Sequence, residues 1–179
     1  MRALALDGLE PSSPYEVALV VAPRDDAPGL AVARAMGLYT AAIDDQDPRF
    51  ADRLVDEMDR AGCAWLCLAG YLRLLPPSVL AARPGRVLNI HPALLPRFGG
   101  KGMYGERVHA AVLAAGETES GCTVHLVTDR YDDGPILLQR KCPVKPEDTP
   151  ETLAARVLEL EHRAYSEALV YAIERARTS

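Results

Sequence analysis

The sequence predicts an α/β fold: a doubly wound, mostly parallel sheet with helices on both faces and its last strands antiparallel. Three observations carry this reading. Short apolar runs alternate with longer segments of helical period, the pattern of βαβ units. The runs "YEVALVVA" (15–22), "AWLCLAG" (64–70) and "RVLNI" (86–90) hold few polar residues, as strands buried on both faces do. Lastly, "GCTVHLVT" (121–128) and "PILLQRKCPV" (135–144) are joined only by "DRYDDG", too short for a crossover helix, so these two strands are expected to run antiparallel.

The elements follow in order. "RALALDGLE" (2–10) reads as a short helix, and the 15–22 run as the first strand. Pro28 to Met36 is a helix, preceded by Asp-Asp-Ala and closed by Gly37. "YTAAI" (39–43) is a short strand. Asp47 to Ala61 is a stronger helix, with Phe50, Leu54, Val55 and Met58 on one face and Gly62 as its stop. After the 64–70 strand, "PPSVLAAR" (76–83) is a helix with prolines in its first turn. "GERVHAAVLAAG" (105–116) is a helix between the 86–90 and 121–128 strands. From Thr149 one long helix runs on, with Pro150 at its first position. Thr152 stands where a capping box carries Glu or Gln, so a cap but not a full box is expected. No repeat, low-complexity tract or linker divides the chain. Its 179 residues, 49% of them hydrophobic, suit one domain over 1–179 with a sizeable core.

Charge and composition exclude several function classes. A formal net charge of -5 argues against broad binding to nucleic acid or to anionic membranes. No apolar run approaches the ~20 residues of a membrane span. The N-terminus lacks the pattern of a signal peptide, so the expected address is the cytoplasm. The cysteines, Cys63, Cys67, Cys122 and Cys142, form no CxxC pair. Buried free thiols are expected, with no metal framework.

The segment "RVLNIHPALLPRFGGKGMYG" (86–105) begins as a core strand and ends in chemistry. Asn89 and His91 are two apart, so they share a face at the C-terminal end of their strand, where open parallel sheets bind ligands. Pro92 holds His91 extended. A neutral amide donor beside an imidazole that relays protons near pH 7 suits a developing oxyanion. The residues alone leave a structural strand end open, the more frequent role of a histidine there. "TDRYDDGP" (128–135) brings Asp129, Asp132 and Asp133 into a turn after a strand, which is an ordinary turn or a source of one carboxylate for His91. In the last helix Leu153, Val157, Leu160 and Ala164 form an apolar stripe bordered by Glu161, either rim decoration or a ligand to something polar.

"LNIHPALLP", "GCTVHLVTDRYDDGPILLQ" and "VLELEHRAY" resemble the folate-dependent formyltransferases, and among them phosphoribosylglycinamide formyltransferase, from about Tyr15 to near the C-terminus. The first motif is shared with methionyl-tRNA formyltransferase and formyltetrahydrofolate deformylase; "FGGKGMYGERVH" resembles the glycinamide ribonucleotide enzymes. The resemblance implies the formyltransferase fold and formyl transfer from 10-formyltetrahydrofolate to glycinamide ribonucleotide in purine biosynthesis. It implies Asn89, His91 and Asp132 as the catalytic trio. It implies Arg73, Leu74, Leu75, Thr128 and Asp129 at the folate, and Glu161 and Pro92 at the ribonucleotide. The expected partners are these small molecules, without metal, nucleic acid or membrane, on a monomer or homodimer. Family members open with a strand and a glycine-rich loop that holds the substrate phosphate at a helix N-terminus. This sequence begins within what resembles that helix, so a form shortened relative to the family is expected. A folate-binding remnant without turnover and a deformylase are the alternatives.

Overall fold

The computed structural model describes residues 1–178. Along the chain lie α1 (Arg2–Gly8), β1 (Val20–Ala22), α2 (Pro28–Ala35), β2 (Thr40–Ala42), α3 (Phe50–Arg60) and β3 (Leu66–Leu68). There follow α4 (Pro77–Ala82), β4 (Val87–His91), α5 (Glu106–Ala114), β5 (Glu119–Leu126), β6 (Ile136–Pro143) and α6 (Pro150–Arg177). Every element expected from the sequence is present. Two compact units divide the chain: Met1–Leu66 with Leu75–Arg86, and Cys67–Leu74 with the chain from Val87 on.

In the first unit β1 and β2 pair in parallel, Val20 opposite Thr40 and Ala22 opposite Ala42. α2 connects them and packs on both strands, burying Leu30 and Ala33, so this is the expected βαβ unit. β1 is much shorter than the apolar run that contains it. A strand extends only as far as a neighbour supplies backbone partners, and β2 supplies three residues. α3 packs against α4, with Leu54, Met58 and Val79 buried.

The second unit is built on a four-stranded sheet in the order β3-β4-β5-β6. β5 and β6 are antiparallel, as expected, with an irregularity at Val124/His125. β4 and β5 are antiparallel too, although α5 lies between them in sequence. The segment between these strands reverses the chain rather than crossing over, so the sheet is mixed. α6 covers β4, β5 and β6 and packs on α5, with Leu153, Val157, Ala164, Tyr165, Ala168 and Leu169 buried. The Tyr165 hydroxyl lies 2.7 Å from the Leu68 carbonyl oxygen and 3.0 Å from that of Leu88, tying α6 to β3 and β4.

The start of α6 corrects the expectation for its cap. The Thr152 amide donates to Thr149 Oγ1 at 3.3 Å, and the Thr149 amide donates to Thr152 Oγ1 at 2.9 Å. The capping box is complete, because a threonine hydroxyl three residues in reaches the cap amide as a Glu or Gln side chain would. Among the described residues no helix is long and apolar enough to cross a membrane.

Candidate active site

Register assembles the site. Asn89 stands opposite His125 and His91 opposite Thr123 across the β4–β5 pair, and Thr123 in turn stands opposite Gln139 of β6. Directly opposed residues share a face of the sheet, so these five polar side chains gather on one side of it.

Two of them hold the chain as it leaves β4. The Thr123 hydroxyl, fully buried, donates to the Ala93 carbonyl at 2.6 Å and accepts from the Leu95 amide at 3.1 Å. Gln139 Nε2 donates to Thr123 Oγ1 at 2.9 Å and to the Leu95 carbonyl at 3.0 Å. The turn that begins at His91 and Pro92 is thereby fixed to β5 and β6. Thr123→Val should lower stability by about 2–4 kcal/mol, because it strands a buried amide and a buried carbonyl of similar cost each. Scanning calorimetry should read this as a fall of roughly 10 °C in Tm. A change below about 1 kcal/mol would show that the turn is held by other means.

The imidazoles are oriented by carbonyls. His91 Nε2 lies 2.8 Å from the Phe98 carbonyl oxygen. A carbonyl only accepts, so Nε2 carries a hydrogen and Nδ1 is the nitrogen whose protonation changes. His125 Nδ1 lies 2.8 Å from the Leu126 carbonyl oxygen, so its hydrogen is on Nδ1. His125 Nε2 then accepts from Asn89 Nδ2 at 3.3 Å. That bond uses one hydrogen of the Asn89 amide and leaves the second for a ligand.

Asp132 closes the cluster. Its Oδ2 is 3.5 Å from His91 Nδ1 and its Oδ1 is 3.6 Å from His125 Nε2, both longer than a hydrogen bond. The Gly100 amide donates to Oδ2 at 2.8 Å. Burial pushes the Asp132 carboxyl up, but His125, the Gly100 amide and the His91 ring outweigh it and hold the group below its ordinary value. Burial lowers His91 below the usual imidazole value, with Asp132 and the Phe98 carbonyl opposing it and His125 adding to it. The resting site is thus an ionised carboxylate beside a neutral imidazole whose free nitrogen faces it. A proton arriving at Nδ1 meets compensating charge.

The backbone is unusual where the site needs it. Phe98 has φ 57° and Asp132 has φ 53°, left-handed conformations that cost a bulky or branched side chain energy and that gather at functional sites. A Cβ on Gly99, next to Phe98, would lie 2.5 Å from Leu95 Cδ2 and 3.2 Å from Asp132 Cβ, so a side chain there would have to push Leu95 aside and crowd Asp132.

The other expected residues are placed as follows. Asp129 is exposed, and Asp133 is exposed with Arg130 3.3 Å away, so Asp132 is the carboxylate of the three that meets His91. Thr128 closes a local turn, its Oγ1 accepting from the Arg130 amide at 3.3 Å. Pro92 is half-buried beside His91. Arg73 and Leu74 are exposed on the short segment of the second unit, whereas Leu75 is buried in the first. Glu161 is half-buried on α6, and burial pushes its carboxyl up to about 7, which a freely solvated rim residue would not show. Sequence reasoning passed over His125, Thr123, Gln139 and Phe98. The first two carried a signal: they are the polar alternate positions of "CTVHL", the face opposite Cys122, Val124 and Leu126.

This chain belongs to the formyl transferase family, whose model matches residues 2–169. Within it, the similarity is to phosphoribosylglycinamide formyltransferases. The chain is 45% identical over 159 residues to the chloroplastic phosphoribosylglycinamide formyltransferase of Arabidopsis thaliana, covering 86% of this chain and 54% of that protein. It is 37% identical over 153 residues to the phosphoribosylglycinamide formyltransferase of Escherichia coli (strain K12), covering 83% of this chain and 70% of that one. The chain spans about half the length of the plant relatives it matches, 54% and 51%. Among solved structures, the phosphoribosylglycinamide formyltransferase of Brucella melitensis superposes with a TM-score of 0.87 at 43% identity, covering 96% of this chain and 88% of that one. Glycinamide ribonucleotide transformylase 1 of Symbiobacterium toebii gives a TM-score of 0.87 at 40% identity, with 97% and 82% covered.

Proposed function

We propose that this chain transfers a formyl group from 10-formyltetrahydrofolate to the amine of glycinamide ribonucleotide, as one catalytic domain over 1–179. The observation that carries the proposal is the Asn89–His91–Asp132 cluster at the end of β4. The amine attacks the formyl carbon, and the carbonyl oxygen becomes an oxyanion. The free hydrogen of the Asn89 amide and a protonated His91 Nδ1 are its donors. Asp132 supports the charge on His91 while a proton passes from the attacking amine to the departing folate nitrogen. Arg73, Leu74, Leu75, Thr128 and Asp129 take the pterin, and Glu161 and Pro92 the ribonucleotide. The chemistry asks for no metal, and 10-formyltetrahydrofolate is a co-substrate. Free thiols at Cys63, Cys67, Cys122 and Cys142 support a reducing compartment, the cytoplasm.

The test is to incubate the purified chain with 10-formyltetrahydrofolate, with and without glycinamide ribonucleotide, and to follow formylated product and formate. Product that depends on the ribonucleotide is expected. Formate released without the amine would instead make the chain a deformylase, and folate binding without either product would make it a remnant.

Glu161 offers a pH test. Its folded value, about 7, lies above the ordinary 4.5, so the folded state binds this proton more tightly. The associated stability is present below pH 4.5 and is lost as pH rises through about 7. Glu161→Gln should therefore gain on the parent protein as pH rises from 5 to 8, by up to ~3 kcal/mol. Denaturant melts of both proteins at each pH measure the difference. A gap that stays constant across the range would place Glu161 in water.

A further inference from the structure

The turn that orients His91 is itself fastened from outside the catalytic cluster. We propose that Arg97 and Glu117 form a clasp that positions His91, acting through the Phe98 carbonyl. The inference rests on the reading of His91 as a proton carrier. Arg97 Nη1 donates to Glu117 Oε2 at 2.6 Å and its Nη2 to Oε1, a two-point fork. The same guanidinium lies over the Phe98 ring, 5.0 Å from its centroid. Glu117 is a firm post: past the C-terminal end of α5, its amide donates to the Val112 carbonyl at 3.3 Å and that of Gly116 to Leu113 at 3.0 Å. Fork and stacking together grip a residue whose φ of 57° is unfavourable for phenylalanine. That left-handed turn delivers the Phe98 carbonyl to His91 Nε2 at 2.8 Å. On the other side Gly100 is tied to Asp132 at 2.8 Å, so one short turn joins the clasp to both proton-handling groups.

Arg97 has 60% of its side chain exposed, and solvent screens such a pair, so its effect on global stability is small. Its effect on placement is not, since small displacements of a catalytic group are costly in rate. The groups facing His91 are Asp132 and His125 from the β5 side and its loop, and His109 of α5, a buried ring that His91 itself influences. Of the contacts on His91, the Phe98 carbonyl depends on the clasp directly and Asp132 through Gly100, and both favour the imidazolium.

The experiment compares Arg97→Ala, Glu117→Gln and the exchange Arg97→Glu/Glu117→Arg with the parent protein. Lys141→Ala, which breaks the exposed Lys141–Glu119 pair, is the control. We expect kcat to fall about tenfold in each single variant, with KM for both substrates within about twofold, and the exchange to recover part of it, since it restores the ion pair but not the cation over the Phe98 ring. Nitrogen-detected NMR of the His91 ring should show a lower midpoint of titration and loss of the fixed Nε2–H form in the single variants. Lys141→Ala should change neither. Parent-like kcat and an unmoved His91 titration in Arg97→Ala would overturn the clasp, as would a fall in kcat with an unchanged ring. Should Arg97→Ala fold poorly, Glu117→Gln carries the same comparison. Because the ring is read without turnover, absence of formyl transfer in the parent would count against the activity alone.

Discussion

Asp132→Asn is expected to fold normally and to lose roughly 10²–10⁴ of the formyl-transfer rate, the range for removing a proton-transfer partner. The amide has the carboxylate's shape and still accepts from the Gly100 amide, now 2.8 Å from Oδ2. What disappears is charge. His91 is already lowered by burial, and Asp132 is the first group that raises it. Without that carboxylate the imidazolium is harder to form while the oxyanion develops, so both the rate and the titration of His91 should move, the latter to lower pH. Asp129→Asn and Asp133→Asn are the comparisons, because both side chains are exposed and neither approaches the imidazoles. Steady-state rates across pH 5 to 9 measure all three. Should Asp133→Asn prove the damaging change, Asp132 is a turn residue and the cluster has been assigned wrongly.

What could be read from the sequence is what obeys a period or a local rule. The alternation of strand and helix gave the α/β class, and the two-residue spacing of Asn89 and His91 put them on one face. The short link between β5 and β6 predicted their antiparallel pairing. What could not be read depends on partners remote in sequence. The direction of β5 against β4 was invisible, because a helix between two strands normally means a parallel crossover, and here the chain reverses instead. The length of β1 was overestimated because hydrophobicity reports burial and not the number of backbone partners. His125, Thr123 and Gln139 enter the site only through the β4–β5–β6 register. Phe98 contributes a backbone carbonyl, and no side-chain pattern announces one. The choice among Asp129, Asp132 and Asp133 came from resemblance alone; the left-handed backbone at Asp132 is what turns that carboxylate toward the imidazoles.

His91→Ala and Asn89→Ala should each lower formyl transfer by ~10²–10³ while leaving folate affinity nearly unchanged, as expected for a donor aimed at an oxyanion. A group that meets the ground-state carbonyl and the tetrahedral oxyanion equally would change KM instead. The two variants differ in their side effects. Asn89→Ala removes the donor to His125 Nε2 and leaves His125 Nδ1 on the Leu126 carbonyl. His91→Ala empties a site where the ring is only 3% exposed and strands the Phe98 carbonyl, so some stability is lost at neutral pH. At acid pH the deficit narrows. The folded value of His91 lies below 6.5, so its neutral form adds stability above that pH, and that stability is lost as pH falls through the folded value. His91→Ala lacks this titration, and its deficit against the parent should shrink between pH 7 and pH 5. Single-turnover rates, folate titration and denaturant melts at the two pH values separate these effects. Near-full turnover in either variant would remove that residue from the oxyanion site. An unchanged rate with weaker folate binding would move it to the pterin instead.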